Sequence, residues 1–529
     1  MMVSPRIDAV LMPHCRIAQC LLAGCFTLWV AGCGEVSPRS EKAAGHVQYS
    51  ENRSEKRSEK RSEKRSEKRS TAFAARPTPK PLVPTRRQAT KSAAQPPRRK
   101  RVDRLASVPD PSDRIDQERV VALGIRRIAS VHLTLYTDLP SEEQIDALPA
   151  VFDQAVPQWC AYFQRDPAEL VGWRLTAYLM QTPQKFRDAG LLPADIGAFL
   201  HGYNRGREMW IHEQQTAYYR RHLLLHEGTH GFMQTQLGGA GPPWYMEGVA
   251  ELLATHTWRD QRLALRQMPA NVQATPGWGR IRIIRDQIAA GRAVSLQQIF
   301  HYGPRSHREV EPYAWSWAVS AFLDFHPRWQ AAFRGLQHQA QDLTTAFSAR
   351  FLQQLESEWS DLVQEWRLFI EELHYGYDIP RSAFVRRSPQ ELPVDGALAQ
   401  VATDRGWQST GGRVVAGRTY TLVAEGRYQL DDQPRVWWCE PNGVTIRYHR
   451  GRPLGMLLAA TVPTGDEESA TPQFQPVAIG RSGTLMAKKD SILYLAINEP
   501  SRQLSNNKGT ITVRIESQDS VDPGDTTQK

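Results

Sequence analysis

Two histidines and three glutamates within 26 residues carry the clearest chemistry in this sequence. In His226-Glu227-Gly228-Thr229-His230 the histidines stand four apart, so on a helix both imidazoles leave one face and reach one ion. Glu227 lies beside them, where it can take a proton from a metal-activated water. Sixteen residues separate His230 from Glu247, which lies in the run Trp244-Tyr245-Met246-Glu247-Gly248-Val249-Ala250-Glu251 with a second carboxylate one helical turn on. A helix, a Gly/Pro-rich turn and a second helix fit that gap and can return Glu247 to the same ion. His226, His230 and Glu247 would leave one tetrahedral position open, which is what a catalytic Zn2+ needs. Glu251 can hydrogen-bond the far nitrogen of a liganding histidine, His226 in this reading, and so fix its tautomer and orientation.

Such side chains work only if helices hold them. Arg220 to Gln236 reads as a helix closed by Gly238-Gly239. After Pro242-Pro243, Trp244 to Thr255 reads as the next helix, with another over Tyr313 to Phe325 and a dense helical stretch to about Glu372. Upstream, His132 to Tyr136 alternates and stops at Asp138-Leu139-Pro140, as a strand does. Ser141 to Phe163 has helical spacing, while Trp173 to Met180 and Glu208 to His212 read as further strands. Strands first and helices afterwards predict an α+β domain. From about Val401 short alternating runs (Tyr420 to Ala424, Thr445 to Tyr448, Leu493 to Ile497, Thr510 to Ile515) are broken by Gly, Pro and Asn, the pattern of an all-β sandwich.

His226–His230 followed by Trp244–Glu251 resembles the gluzincin zinc metallopeptidases, the group that holds thermolysin and the aminopeptidase-N family. A branch of bacterial envelope proteins among them has a later helix with a tyrosine-tryptophan pattern, matched here by Tyr313-Ala314-Trp315-Ser316-Trp317-Ala318. The resemblance covers roughly residues 125–375 and implies a zincin-like fold, bound zinc and hydrolysis of a peptide or protein substrate. It implies Glu227 as the general base that later passes its proton to the leaving amine. Tyr313 is then the candidate donor to the oxyanion, with His301, Tyr302 and His307 as substitutes from the preceding loop. His222 and His256 read as surface or packing residues. Glu208 to His212 resembles the edge strand on which these peptidases pair an extended peptide. Endo- and exo-cleavage both stay open.

In the C-terminal part, Trp407-Gln408-Ser409-Thr410-Gly411, Gly417, Gly426 and Ile479-Gly480-Arg481-Ser482-Gly483 resemble bacterial galactophilic-lectin-type sandwiches. There an acidic loop and an Asn-Asn-x-Gly turn bind calcium and sugar, matched here by Asn498-Glu499 and Asn506-Asn507-Lys508-Gly509. Glu499 stands where that family has aspartate, and Gln503 where it has a hydroxyl residue, departures that count against calcium because loop ligands must reach the ion at closely fixed distances; a Ca2+ and glycan site is one option. A plain hairpin turn is the other.

The formal charge of +10 suggests nucleic acid until it is located. Residues 34–117 carry 22 Lys/Arg against 11 Asp/Glu, which leaves the rest of the chain near neutral and no nucleic-acid partner expected. That stretch holds four RSEK repeats from Arg53 to Lys68 and then a proline-rich run, a disordered tether. Before it, Arg6, Arg16 and the apolar Ile17 to Val30 read as an export signal. Val30-Ala31-Gly32-Cys33 resembles a lipobox, which implies lipidation of Cys33, and Gly34 resembles lipoproteins that reach an outer membrane. After the signal and Cys33, only Cys160 and Cys439 remain, too few for a disulfide framework. The expected organisation is therefore signal 1–33, tether 34–117, metallopeptidase-like domain 118–378, lectin-like sandwich 395–517 and a disordered tail 518–529. The reading is a membrane-anchored zinc peptidase in a bacterial envelope. The alternative is a non-catalytic adhesion or scaffold lipoprotein that grips glycan.

Overall fold

A computed structural model describes residues 111–303, 306, 309–464 and 474–518. All of them belong to one compact unit, Gln95–Lys529. The signal, Cys33, nearly all of the tether, His307 and the tail beyond residue 518 lie outside the described residues. No described helix is long and apolar enough to cross a membrane.

The N-terminal part is built on a mixed five-stranded sheet of β1 (Arg126–Ala129), β2 (Leu133–Thr137), β3 (Leu175–Met180), β4 (Gly202–Arg205) and β5 (Glu208–His212), in the order β1-β2-β3-β5-β4. β2, β3 and β5 are parallel, and the outer strands β1 and β4 run antiparallel to their neighbours. β2 and β3 are buried along their whole length, as parallel strands covered on both faces must be. On one face Tyr136, Tyr178 and Trp210 stack in a row, ring centroids 5.8 and 5.4 Å apart, over Phe186 and Leu191. On the other, Leu133, Leu135, Leu175 and Ala177 join a larger core shared with the helices.

Those helices are α1 (Leu148–Tyr162), α2 (Ala217–Phe232), α3 (Pro243–Ala254), α4 (Arg280–Ala289), α5 (Val310–Phe325) and α6 (Trp359–Glu372). Thr216 caps α2, accepting from the Tyr219 N–H at 3.1 Å, and a π-helical turn over Met233–Leu237 carries the chain on to Gly238 in the left-handed region. Pro243 opens α3, where its fixed φ is already helical. α3 and α5 lie unusually close. A Cβ on Gly248 would overlap the Ser316 carbonyl and the Ser320 hydroxyl.

The C-terminal part is β-rich and forms no closed barrel. Its strands are β6 (Ala397–Ala402), β7 (Gln408–Val414), β8 (Thr419–Glu425), β9 (Asn442–His449), β10 (Arg452–Pro463), β11 (Ser482–Met486), β12 (Ser491–Ile497) and β13 (Thr510–Gln518). One sheet runs β9-β10-β12-β7 and the other β11-β8-β13-β6. Alternate residues, among them Leu422, Leu457, Leu493, Leu495, Ile511 and Val513, fill the core between them. A second cluster, Phe384, Trp407, Leu458 and Tyr494 with Leu368 of α6, seals this part to the helices. Glu365 pins the seam, accepting from His326 at 2.9 Å, the Phe384 N–H at 2.9 Å and Arg386 at 2.7 Å.

Candidate metal centre

His226 and His230 leave one face of α2, their Nε2 atoms 3.1 Å apart. α3 delivers Glu247 to the same point, with Oε2 at 3.2 Å from His226 Nε2 and 3.3 Å from His230 Nε2. All three side chains are buried, and their ligand atoms lie within 4.8 Å of one another. Three nitrogen and oxygen donors crowded this closely, with no cationic side chain between them, fit a divalent metal of the zinc type. Burial opposes ionisation of Glu247, but His230 and His226 outweigh it and hold its carboxyl down at about 2.

A second group of possible ligands, His222, His226 and Glu251, lies one turn away. Here the positive charge is already supplied. Arg280 grips Glu251 with Nε at 3.1 Å and Nη2 at 2.9 Å, and Trp278 Nε1 adds a third donor at 3.2 Å. His222 Nε2 lies 3.3 Å from Glu251, and His226 Nδ1 lies 3.5 Å from it. The carboxylate expected to steady His226 therefore stands beside that ring, and is itself fixed by a buried arginine. Burial raises the Glu251 pKa, but Arg280 and then His222 overcome it and hold the group well below the usual range.

Glu227 is buried beside the donors, and its carboxyl is pushed up to about 8 by that burial, with His230 opposing and Glu247 and Glu251 adding to the rise. β4 runs against it so tightly that a Cβ on Gly202 would overlap Glu227 Oε1. This corrects the expected edge strand. Glu208–His212 is interior, paired with β3 on one side and β4 on the other, and Gly202–Arg205 is the edge. The His212 N–H donates to the His201 carbonyl at 2.8 Å, and Tyr203 stands opposite Trp210. Bonded pairs alternate along an antiparallel ladder, so the backbone groups of Gly202 and Asn204 face the open edge.

Tyr313 occupies the first turn of α5, its ring 6.0 Å from that of His226, with the Arg280 guanidinium 6.0 Å from its face. Burial and then Glu247, Glu227 and Glu251 push its phenol above the ordinary value, so it keeps its proton. His301 is exposed and turns back to the Gln297 carbonyl at 2.7 Å. Tyr302 is half-buried. His222 and His256 are buried rather than on the surface, and His256 stacks on Tyr218 with centroids 4.5 Å apart. Arg280, Trp278 and Gly202 had no signal in the sequence, because each meets the site through a loop and not through helical spacing.

In the β-rich part, Asn507 donates to Glu499 and to the Thr403 carbonyl, and Asn506 Nδ2 donates to Asp431 at 3.1 Å. The Oδ1 atoms of Asn506 and Asn507 are buried without a hydrogen-bond partner among the described residues. Burial lifts the Glu499 carboxyl to about 8, with Asn507 opposing and Asp431 reinforcing the rise. Orphaned oxygens beside two carboxylates fit an oxygen-seeking cation such as calcium. Asn498 is used elsewhere, donating to the carbonyls of His449, Arg452 and Pro453 at 3.0, 3.1 and 2.9 Å.

No family model and no curated protein matches the sequence. Among solved structures, an aminopeptidase N family protein from Idiomarina loihiensis is similar over 73% of this chain and 68% of its own, at 11% identity and a TM-score of 0.25. The N-terminal domain of EclA, a PllA-like lectin, matches 23% of this chain and 95% of its own at 16% identity, TM-score 0.17. PliG of Aeromonas hydrophila, a periplasmic inhibitor of g-type lysozyme, matches 26% and 97% at 9% identity, TM-score 0.16. At these scores the likenesses are distant, and the site rests on its own geometry.

Proposed function

We propose that this chain is a zinc-dependent peptidase of the gluzincin type, lipid-anchored through Cys33 in a bacterial envelope. The observation that carries the reading is the meeting of His226, His230 and Glu247, with Glu227 alongside and an open strand edge above it. His226, His230 and Glu247 would hold the metal, which when bound supplies Lewis acidity toward water and a substrate carbonyl. An extended peptide pairs with the Gly202 and Asn204 backbone, which lays its scissile bond across Glu227. Glu227 takes the proton of the attacking water at a carboxylate oxygen and delivers it to the leaving nitrogen. Tyr313 keeps its own proton and donates a hydrogen bond to the developing oxyanion. Arg280 and Glu251 act through His226 and hold its ring in place. In the β-rich part, Asp431, Glu499, Asn506 and Asn507 would supply oxygen donors to calcium and, through it, to an envelope glycan.

The test is digestion of a mixed peptide library by the wild-type protein and by Glu227→Gln. The expected result is cleavage by wild type and loss of at least about a hundredfold in the variant, with metal content equal in both. Equal metal content with no cleavage by either protein would instead favour a non-catalytic adhesion or scaffold role.

A further inference from the structure

Where the helices meet the sandwich there is a cleft of about 360 Å3, lined by three arginines, two glutamates and two histidines. Arg285 of α4 and Glu371, Glu372 and His374 at the end of α6 form one wall. His449, Arg450 and Arg502 form the other. Arg450 is taken up by Glu372, Nη1 to Oε1 at 2.8 Å. Among the described residues no carboxylate lies within ion-pair distance of Arg285 or Arg502, so two guanidinium groups share the cleft with one further carboxylate, Glu371. His374 Nδ1 is fixed on the Glu372 carbonyl at 2.6 Å, while its Nε2 is buried with no hydrogen-bond partner among the described residues. The imidazoles register the surplus charge. Burial and then Arg450, His374 and Arg502 hold His449 down at about 4.

Both arginines stand on regular backbone. Arg285 lies within α4, and Arg502 in a 3-10 turn over Ser501–Asn506. Arg450 and Gly451, with φ of 49° and 73°, make the tight turn between β9 and β10. Guanidinium forks match the planar oxygens of a phosphate or carboxylate. The volume falls within the usual span of small-molecule sites.

We infer that this cleft binds a small ligand through an oxyanion, a phosphate or a carboxylate, clamped by Arg285 and Arg502 with His374 as a further contact. The site is separate from the metal cluster and stands or falls independently of the peptidase reading. It is tested by calorimetric titration of the full chain with inorganic phosphate and with glucuronate, at about 0.15 M salt and with a chelator present. One-to-one saturation by at least one anion is expected, weakened about tenfold or more in Arg502→Gln and further in the Arg285→Gln/Arg502→Gln double variant. The anion that binds more tightly identifies the group the cleft takes. Both arginines are exposed, so the variants should keep the wild-type unfolding temperature. No saturation with either anion, or equal binding by wild type and double variant, would overturn the assignment.

Discussion

Arg280 is the residue that separates the two overlapping donor sets. A guanidinium and a metal cannot share one carboxylate cheaply, so Glu251 belongs to Arg280 and Glu247 is left for the ion. Arg280→Lys keeps the charge but loses the fork that engages both Glu251 oxygens. Zinc affinity, measured by competition with a chelator, should fall about tenfold to a hundredfold while the circular dichroism spectrum is unchanged. Unchanged affinity would mean that Glu251 does not steady His226. The candidate ligands His226, His230 and Glu247, with Glu251, were legible in the sequence because helical spacing relates them locally. Arg280 was not, since its partner lies 29 residues away across an irregular segment.

At the level of elements, the spacing between α3 and α5 decides whether Glu247 and Tyr313 face one centre. Gly248 permits that spacing, and Gly248→Ala drives a methyl into the backbone at Ser316. The variant should lose about 1–3 kcal/mol of stability by urea unfolding and should bind zinc more weakly. A variant as stable as wild type would show that the two helices can part without consequence. α1, α2, α3 and α5 were readable from periodicity, with observed limits that differ at the ends, whereas α4 (Arg280–Ala289) was not anticipated. The edge strand was misplaced for a physical reason. Gly202–Arg205 is four residues long and opens on glycine, so it carries a weak strand pattern, whereas Glu208–His212 is strongly apolar. Strand order in a sheet is a long-range property that local patterning does not encode.

The whole molecule combines a buried polar centre with buried neutral histidines, and this sets its response to acid. His256 is held at about 3 against an ordinary 6.5, chiefly by burial, so the unfolded chain binds its proton first as pH falls. The contribution of His256 to stability should therefore be level above about pH 6.5 and decline below it, by up to about 1.4 kcal/mol per unit, while the raised carboxyls of Glu227 and Glu499 act in the opposite direction up to about pH 8. Urea unfolding at a series of pH values checks this, and His256→Gln should flatten the slope. An equally steep decline in the variant would place the acid sensitivity elsewhere. The β-rich part was legible as alternating strands, but its seam with α6 was not, because Glu365, His326 and Arg386 meet only once both parts are folded. The most direct measurement for the central claim is anomalous scattering at the zinc edge from crystals grown with zinc. One peak is predicted among His226 Nε2, His230 Nε2 and the Glu247 carboxylate. No peak there, or a peak between His222 and Glu251, would contradict the assignment.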